Sequence, residues 1–228
     1  MTGVAERLAG LRDRIAAACA AAGRSAEEVQ LLAVSKTFPA EAVQEAYDAG
    51  HRHFGESRQQ EAAPKIAVLP AEIHWHFIGG LQRNKVRKVL GEFQTIHSID
   101  SLRLAEYLDR IAGEEGKRPE IYLEVNVACE ESKGGYSPEE LLNAADQLAA
   151  LRHVEIRGLM SIPPDDADQA RRWFAATRDL RDRLRTVSGL QLPGLSMGMS
   201  GDFEQAILEG STIVRVGSAI FGQRSYPA

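Results

Sequence analysis

Sulfur chemistry is nearly absent from this chain. Its two cysteines, Cys19 and Cys129, stand far apart in 228 residues and form no Cys-x-x-Cys pair, so neither a disulfide framework nor a cysteine zinc site is suggested. No window of about 18 apolar residues occurs, and nothing reads as a membrane-spanning helix. The amino-terminal stretch mixes Glu6 and Asp13 with Arg7, Arg12 and Arg14, without the uninterrupted apolar segment of a secretion signal. A basic excess is missing too. The net charge is −5, which argues against a general nucleic-acid binder. No low-complexity linker or change of composition divides the chain. One domain spanning 1–228 in a reducing, cytoplasmic setting is the expectation.

What remains is an ordinary globular composition, 44% hydrophobic and 26% charged, long enough to bury a sizeable core. Val4, Leu8, Leu11, Ile15 and Cys19 fall at helical spacing and predict an amphipathic first helix. Ser25-Ala26-Glu27-Glu28 has capping-box spacing, and the apolar run Leu31 to Val34 follows as a first strand. From there the pattern alternates. Strands are predicted at 51–55, 74–78, 95–98, 120–126, 154–160, 194–197 and 212–217. Between them lie predicted helices at 40–49, 56–68 and 82–90, one capped by Asp100 and running to about Ile111, and one opened by Ser137-Pro138-Glu139-Glu140. A long helix over 166–187 and one beginning near Asp202 complete the series. Eight strands separated by helices predict an α/β fold, a single (β/α)8 TIM barrel with an additional N-terminal helix. A doubly wound open sheet is the alternative.

Unusual polar residues collect just after the predicted strands. Lys36 ends the first, Glu56-Ser57-Arg58 follows the second, and Gln82-Arg83-Asn84-Lys85 the third. Asn126 with Glu130-Glu131-Ser132-Lys133 follows the fifth, Ser161 the sixth, Ser200 the seventh and Gly217-Ser218 the eighth. In a barrel these ends form one rim, the one that carries chemistry. A lysine of ordinary pKa is a free amine in only about one molecule in 2,500 at pH 7. Desolvation and neighbouring cations can pull that pKa toward about 7 to 8, which is how imine-forming lysines are made.

Met197-Gly198-Met199-Ser200-Gly201-Asp202 supplies a turn with a hydroxyl, and Ile213-Val214-Arg215-Val216-Gly217-Ser218 a strand that ends on two small residues. Backbone N–H groups at Gly217 and Ser218, with the Ser200 hydroxyl, would make an anion site after strands seven and eight, the customary phosphate position of the fold. Arg215 is predicted to face the barrel, where it needs an acceptor. An aromatic ring nitrogen is one candidate, a buried carboxylate such as Glu124 another. An imine-forming lysine, a phosphate cradle and an arginine at a pyridine nitrogen together describe pyridoxal 5′-phosphate.

The chain also resembles a known family. Val34-Ser35-Lys36, His53-Phe54-Gly55-Glu56, Trp75-His76-Phe77-Ile78-Gly79, Leu81-Gln82 with Asn84-Lys85, Ser132-Lys133-Gly134, Gly158-Leu159-Met160, Leu195 through Ser200, and Arg215-Val216-Gly217 through Phe221-Gly222 are similar to the pyridoxal phosphate homeostasis proteins. Those proteins resemble in fold the barrel domain of alanine racemase. The resemblance implies Lys36 as the Schiff-base lysine, Arg215 at the pyridine nitrogen, and Ser200, Gly217 and Ser218 around the phosphate. Ser57 and His76 are also expected in the cofactor-binding set. Ser57 stands where the family usually has asparagine after Gly-Glu, so an amide contact there does not carry over. The function implied is that of a carrier or buffer of the cofactor, with apo forms of pyridoxal-phosphate enzymes as partners and a monomer or weak dimer as the assembly.

The residues also allow other readings. A small amino-acid racemase or decarboxylase is the alternative, but an arginine at the pyridine nitrogen weakens the ring as an electron sink. None of Tyr47, Tyr107, Tyr122, Tyr136 and Tyr226 sits as an obvious base. His74 and His76 alternate onto one strand face, yet no third ligand has suitable spacing, so packed histidines are expected and no metal. Gly79 to Lys85 lacks the Gly-Lys-Ser/Thr ending of a P-loop. Arg83, Lys85, Arg87 and Lys88 form a basic cluster on a helix, expected to be a solvated face. A cofactor-free lysine aldolase would leave Arg215 without a purpose.

Overall fold

Alternation and helical periodicity have one joint solution, a sheet that closes on itself with helices outside. The computed structural model describes residues 3–164, 166 and 169–222. Its eight strands are β1 (Gln30–Val34), β2 (His53–Glu56), β3 (His74–Phe77), β4 (Thr95–Ile99), β5 (Glu120–Val125), β6 (Glu155–Ser161), β7 (Gly194–Ser196) and β8 (Ile213–Val216). All pair in parallel, in sequence order, and β8 returns to β1 to close the barrel. The open-sheet alternative is thereby removed.

The strands have two faces. Outward residues such as Ala33, Phe54, Trp75, Phe77, Ile96, Ile121, Leu159 and Val214 join the helices in the main core. Inward, a small separate apolar cluster of Leu32, Tyr122, Met160 and Ile213, with Ile78 against it, plugs the barrel. That plug separates a carboxyl mouth from an amino mouth, and the polar interior residues lie to either side of it.

The first helix, α1 (Val4–Ala21), buries Val4, Leu8, Leu11, Ile15, Ala18 and Cys19 on one stripe, as its spacing required. It packs outside the barrel on α2 (Ala40–Asp48), α9 (Phe203–Leu208) and α10 (Ser218–Phe221). The other helices are α3 (Gln59–Ile66), α4 (Val86–Glu92), α5 (Leu102–Glu114), α6 (Pro138–Asn143), α7 (Ala145–Ala149) and α8 (Ala170–Ser188). Ser137 and Glu140 form the expected capping box, and Ser25 with Glu28 another around a 3-10 turn.

Boundaries moved where side chains found better partners. The third helix begins at Gln59 and not at 56, because Glu56 is the last residue of β2. The stretch from 82 splits into a 3-10 turn, Arg83–Lys85, and α4. Asp100 does not cap α5; its carboxylate accepts the Ser101 hydroxyl, and the helix runs past Ile111 to Glu114. His51 stands before β2, its ring bonded to the His53 carbonyl. The long helix predicted from 166 begins at Ala170, and residues 167 and 168 lie outside the described residues, as does Tyr226. Among the described residues no helix is long and apolar enough to cross a membrane.

Candidate functional site

At the carboxyl mouth the chain leaves β1 through a tight turn. The Phe38 N–H donates to the Ser35 carbonyl at 3.1 Å, placing Lys36 and Thr37 at the turn's centre, with Thr37 at φ 70°. A left-handed threonine costs of order 1–2 kcal/mol, so the surroundings must hold it. They do so from outside the barrel: the Lys65 ammonium donates to the Ser35 carbonyl at 3.0 Å and to the Glu56 carboxylate at 2.7 Å, and the Ser35 hydroxyl donates to the same carboxylate at 2.6 Å. Glu56 is fully buried, and burial pushes its carboxyl up while Lys65 pulls it down. Lys36 itself is half-buried. Sequence reading missed Lys65, whose bracing role is invisible until α3 is laid against β1 and β2.

Register brings the distant carboxyl-terminal segments beside this turn. Leu32 and Ala33 of β1 pair with Arg215 and Val216 of β8. The chain then passes Val34 so closely that a Cβ on Gly217 would lie 3.1 Å from the Val34 carbonyl oxygen. The Ser218 hydroxyl donates to the Ser200 oxygen at 3.2 Å, joining the loops after β7 and β8. The β7 loop can fold that way because Gly198 has φ 93° and a Cβ there would meet the Ala206 side chain at 2.6 Å. Its far end is tied by the Met199 N–H donating to the Asp202 carboxylate at 2.6 Å. Ser200, Gly217 and Ser218 are therefore assembled, and the amides that open α10 have no acceptor within that helix. These hydroxyls and amides are placed where they could hold a small anion.

Arg215 lies inside the barrel, 6% exposed. Its three hydrogen bonds go to the Ser196 carbonyl (2.6 Å), the Ser196 hydroxyl (2.9 Å) and the Ser161 carbonyl (2.9 Å). No carboxylate of a described residue forms an ion pair with it, so Glu124, the alternative acceptor, does not take that role. Burial lowers its pKa to about 10, with Asp202 and Glu124 acting the other way. Burial likewise raises the Glu124 carboxyl. A guanidinium has five N–H groups, more than these bonds use, so the residue fits an additional acceptor such as a ring nitrogen.

The remaining sequence candidates divide. Ser57 is half-buried after β2, its carbonyl so close to Gly79 that a Cβ there would lie 1.9 Å away. Asn126 turns inward on its own loop, its amide donating to the Glu130 and Lys133 carbonyls and accepting the Glu130 N–H. Lys133 pairs with Glu130 and donates to the Pro163 carbonyl; it borders a cleft of about 480 Å³ with Ile162, Met199 and Asp202. The Ser161 hydroxyl faces Thr177, outside the barrel. Arg83 stacks on the Tyr107 ring at 4.3 Å, so this member of the basic cluster covers an aromatic face.

His76, expected among the cofactor residues, has its ring on a recess of about 430 Å³ at the amino mouth, lined also by His53, His74, Gln30, Glu120 and Tyr122 and away from the rim of Lys36. His53 Nδ1 lies 3.2 Å from His76 Nε2, and His76 Nδ1 lies 3.0 Å from His97 Nε2. His97 Nδ1 reaches the Ser196 hydroxyl at 2.8 Å, so His76 touches the Arg215 environment only through two intermediaries. Burial lowers the pKa of all four rings, that of His53 to about 4. The third histidine that spacing along the chain failed to supply comes from the neighbouring strand, where His53 pairs with His74.

The comparisons with known proteins agree with this fold. The sequence profile "Alanine racemase, N-terminal domain" matches residues 8–225. The chain is 43% identical to the pyridoxal phosphate homeostasis protein of Aquifex aeolicus over 224 residues, 97% of this chain and 98% of the relative. The PipY protein of Synechococcus elongatus PCC7942, solved with PLP bound, is 44% identical with a TM-score of 0.85, covering 96% of this chain and 100% of PipY. An alanine racemase from Bartonella henselae, solved with covalently bound pyridoxal phosphate, shares the fold at 19% identity and a TM-score of 0.74, over 99% of this chain and 62% of the racemase.

Proposed function

This chain belongs to the pyridoxal phosphate homeostasis proteins, and on that premise we propose that it holds pyridoxal 5′-phosphate at the carboxyl mouth, on Lys36, as a carrier and buffer of the cofactor. The observation that carries this reading is the β1–β8 pairing, which sets the Lys36 turn beside Gly217, Ser218 and Ser200. An amine and an anion cradle share one rim, with a buried guanidinium below them. The Lys36 amine adds to the aldehyde carbon and water leaves, giving a C=N bond that hydrolysis or another amine reverses. Reversal is what handing the cofactor to an apo enzyme requires.

Each residue has a separate task. Ser200, Ser218 and the first amides of α10 take the phosphate, where Gly217 permits close approach. Arg215 donates to the ring nitrogen and keeps it unprotonated, since one lone pair cannot accept two donors. An unprotonated ring is a poor electron sink, which disfavours the racemase or decarboxylase alternative. The buried tyrosines support the same preference: burial raises the Tyr122 hydroxyl to about 12 and raises that of Tyr136 as well, so neither is a base near neutrality. One visible spectrum of the purified protein after incubation with the cofactor tests the reading. A band near about 420 nm, removed by borohydride, is expected. Racemisation or decarboxylation well above the rate of the free cofactor would favour the alternative.

A further inference from the structure

We infer that the amino mouth of the barrel binds one late first-row divalent metal ion, Zn2+ in the first instance, through the imidazoles of His53, His74 and His76. One ring nitrogen from each lies within 4.8 Å of the others. The closest pair, His53 Nδ1 and His76 Nε2, is 3.2 Å apart. Zn–N bonds of about 2.0–2.1 Å in a tetrahedron put ligand nitrogens about 3.3 Å from each other. That edge is therefore already formed. His53 and His74 are only half-buried, and their rings have the recess to turn in.

The hydrogen bonds around the cluster assign the lone pairs. The Gln30 amide nitrogen, a donor only, lies 3.4 Å from His76 Nε2. That nitrogen therefore carries the lone pair, and the ring proton sits on Nδ1, facing His97 Nε2 at 3.0 Å. His97 in turn donates from Nδ1 to the Ser196 hydroxyl at 2.8 Å, an oxygen that also accepts from Arg215. His74 Nε2 is committed to Thr95 Oγ1 at 2.9 Å, and that hydroxyl donates to the Glu120 carboxylate at 3.3 Å. His74 Nδ1 is thus the nitrogen left for a ligand. His76 and His74 each have the other ring nitrogen fixed by a partner, the arrangement that orients metal-binding histidines.

Without an ion, the arrangement is poorly matched. His53 Nδ1 and the Gln30 amide both approach a single lone pair on His76. A cation facing that lone pair accepts from all three rings at once. Three imidazoles suit zinc, copper or nickel and not calcium or magnesium, which prefer oxygen. Glu27, Glu28 and Glu120 outnumber Arg157 in the lining of the recess, and its volume of about 430 Å³ leaves room for water as a fourth ligand. The site stands at the opposite mouth from Lys36 and does not depend on the function proposed there.

The test uses the untagged full-length protein, stripped with a chelator and titrated with Co2+, then with Zn2+ in competition with a chromophoric chelator. Expected are one ion per chain, tetrahedral Co2+ absorption in the visible, and displacement by Zn2+. His53→Ala and His74→Ala, checked for folding by circular dichroism, should each weaken Zn2+ binding by at least about 100-fold. Thr95→Ala, which removes only an orienting partner, should cost about 10-fold. Cys129→Ala, an exposed thiol elsewhere, should change nothing. Absence of stoichiometric uptake by the wild-type protein would overturn the inference, as would Zn2+ binding that survives both histidine substitutions.

Discussion

The two mouths of this barrel are built from different parts of the chain. The carboxyl mouth is made of loops, with a turn that holds a left-handed threonine, a glycine at φ 93° whose Cβ would collide and two serine hydroxyls 3.2 Å apart, set over the buried Arg215 of β8, whose bonds to described residues go to uncharged oxygens. The amino mouth is made chiefly of strand side chains, with tilted imidazoles from β2, β3 and β4, and its backbone departs from the ordinary at Leu192, φ 41°, just before β7. Loops can be reshaped around a ligand without disturbing the sheet, whereas side chains at strand starts are positioned by register alone. A line of hydrogen-bonded groups, Arg215, Ser196, His97, His76 and His53, nonetheless joins the two ends through the barrel, with steps of 2.9, 2.8, 3.0 and 3.2 Å.

The sharpest way to break the comparison is Lys36→Ala. It should abolish the visible band altogether while leaving far-UV circular dichroism and the melting temperature almost unchanged, because the residue follows β1 and is not part of its core. Loss of fold in that variant would mean that Lys36 is structural. Arg215→Ala comes next. It strips a donor from the buried Ser161 and Ser196 carbonyls, and a destabilisation of about 3 kcal/mol is expected in urea unfolding, together with weaker cofactor retention. Unchanged retention would remove Arg215 from the site.

Smaller changes separate the anion cradle from the amine. Ser200→Ala and Ser218→Ala should each raise the Kd for the cofactor about 10-fold, the effect of losing one hydrogen bond to a charged group. They should leave the position of the visible band where it was. A shift in the band without a loss of affinity would place both serines at the ring and not at the phosphate.

The amino mouth should show itself in acid. The pKa values of His51 and His53 are held down to about 4 by burial, and those of His74, His76 and His97 are lowered too. Unfolded histidine binds its proton near 6.5, so between about 6.5 and 4 the unfolded chain holds more protons and stability rises with pH. Their contribution is fully present above about 6.5 and is lost as the pH falls toward 4. The raised carboxyls of Glu56 and Glu124 act with the opposite sign. Five histidines outnumber them, and the melting midpoint should drop by several degrees across that window. A flat profile would show that the rings are not desolvated.

Why the carboxyl mouth was legible in the sequence and the amino mouth was not follows from the same contrast. Lys36, Ser200, Gly217 and Ser218 each stand just past an apolar run, so locating the strands located them. Arg215 was placed inside by simple alternation. His53, His74 and His76 lie at positions where alternation says only "inward", and spacing along one strand cannot show that β2 contributes the third ring. Their meeting depends on the pairing of His53 with His74 and of Gly55 with His76. Glycine at 55 lets Leu32 and Ile78 pack close beside that pairing, since a Cβ there would lie 3.3 Å from Ile78 and 3.4 Å from Leu32. Lys65 escapes a sequence reading, and Glu56 is assigned to a helix there, for a related reason: the buried pair that braces the Lys36 turn forms only when α3 packs on the sheet.

One measurement bears most directly on the carboxyl mouth: borohydride reduction of the cofactor-loaded protein, followed by peptide mass mapping of every lysine. The expected result is a single phosphopyridoxyl adduct, on the peptide containing Lys36, with Lys65, Lys85 and Lys133 unmodified. An adduct spread over several lysines, or confined to one other than Lys36, would contradict it.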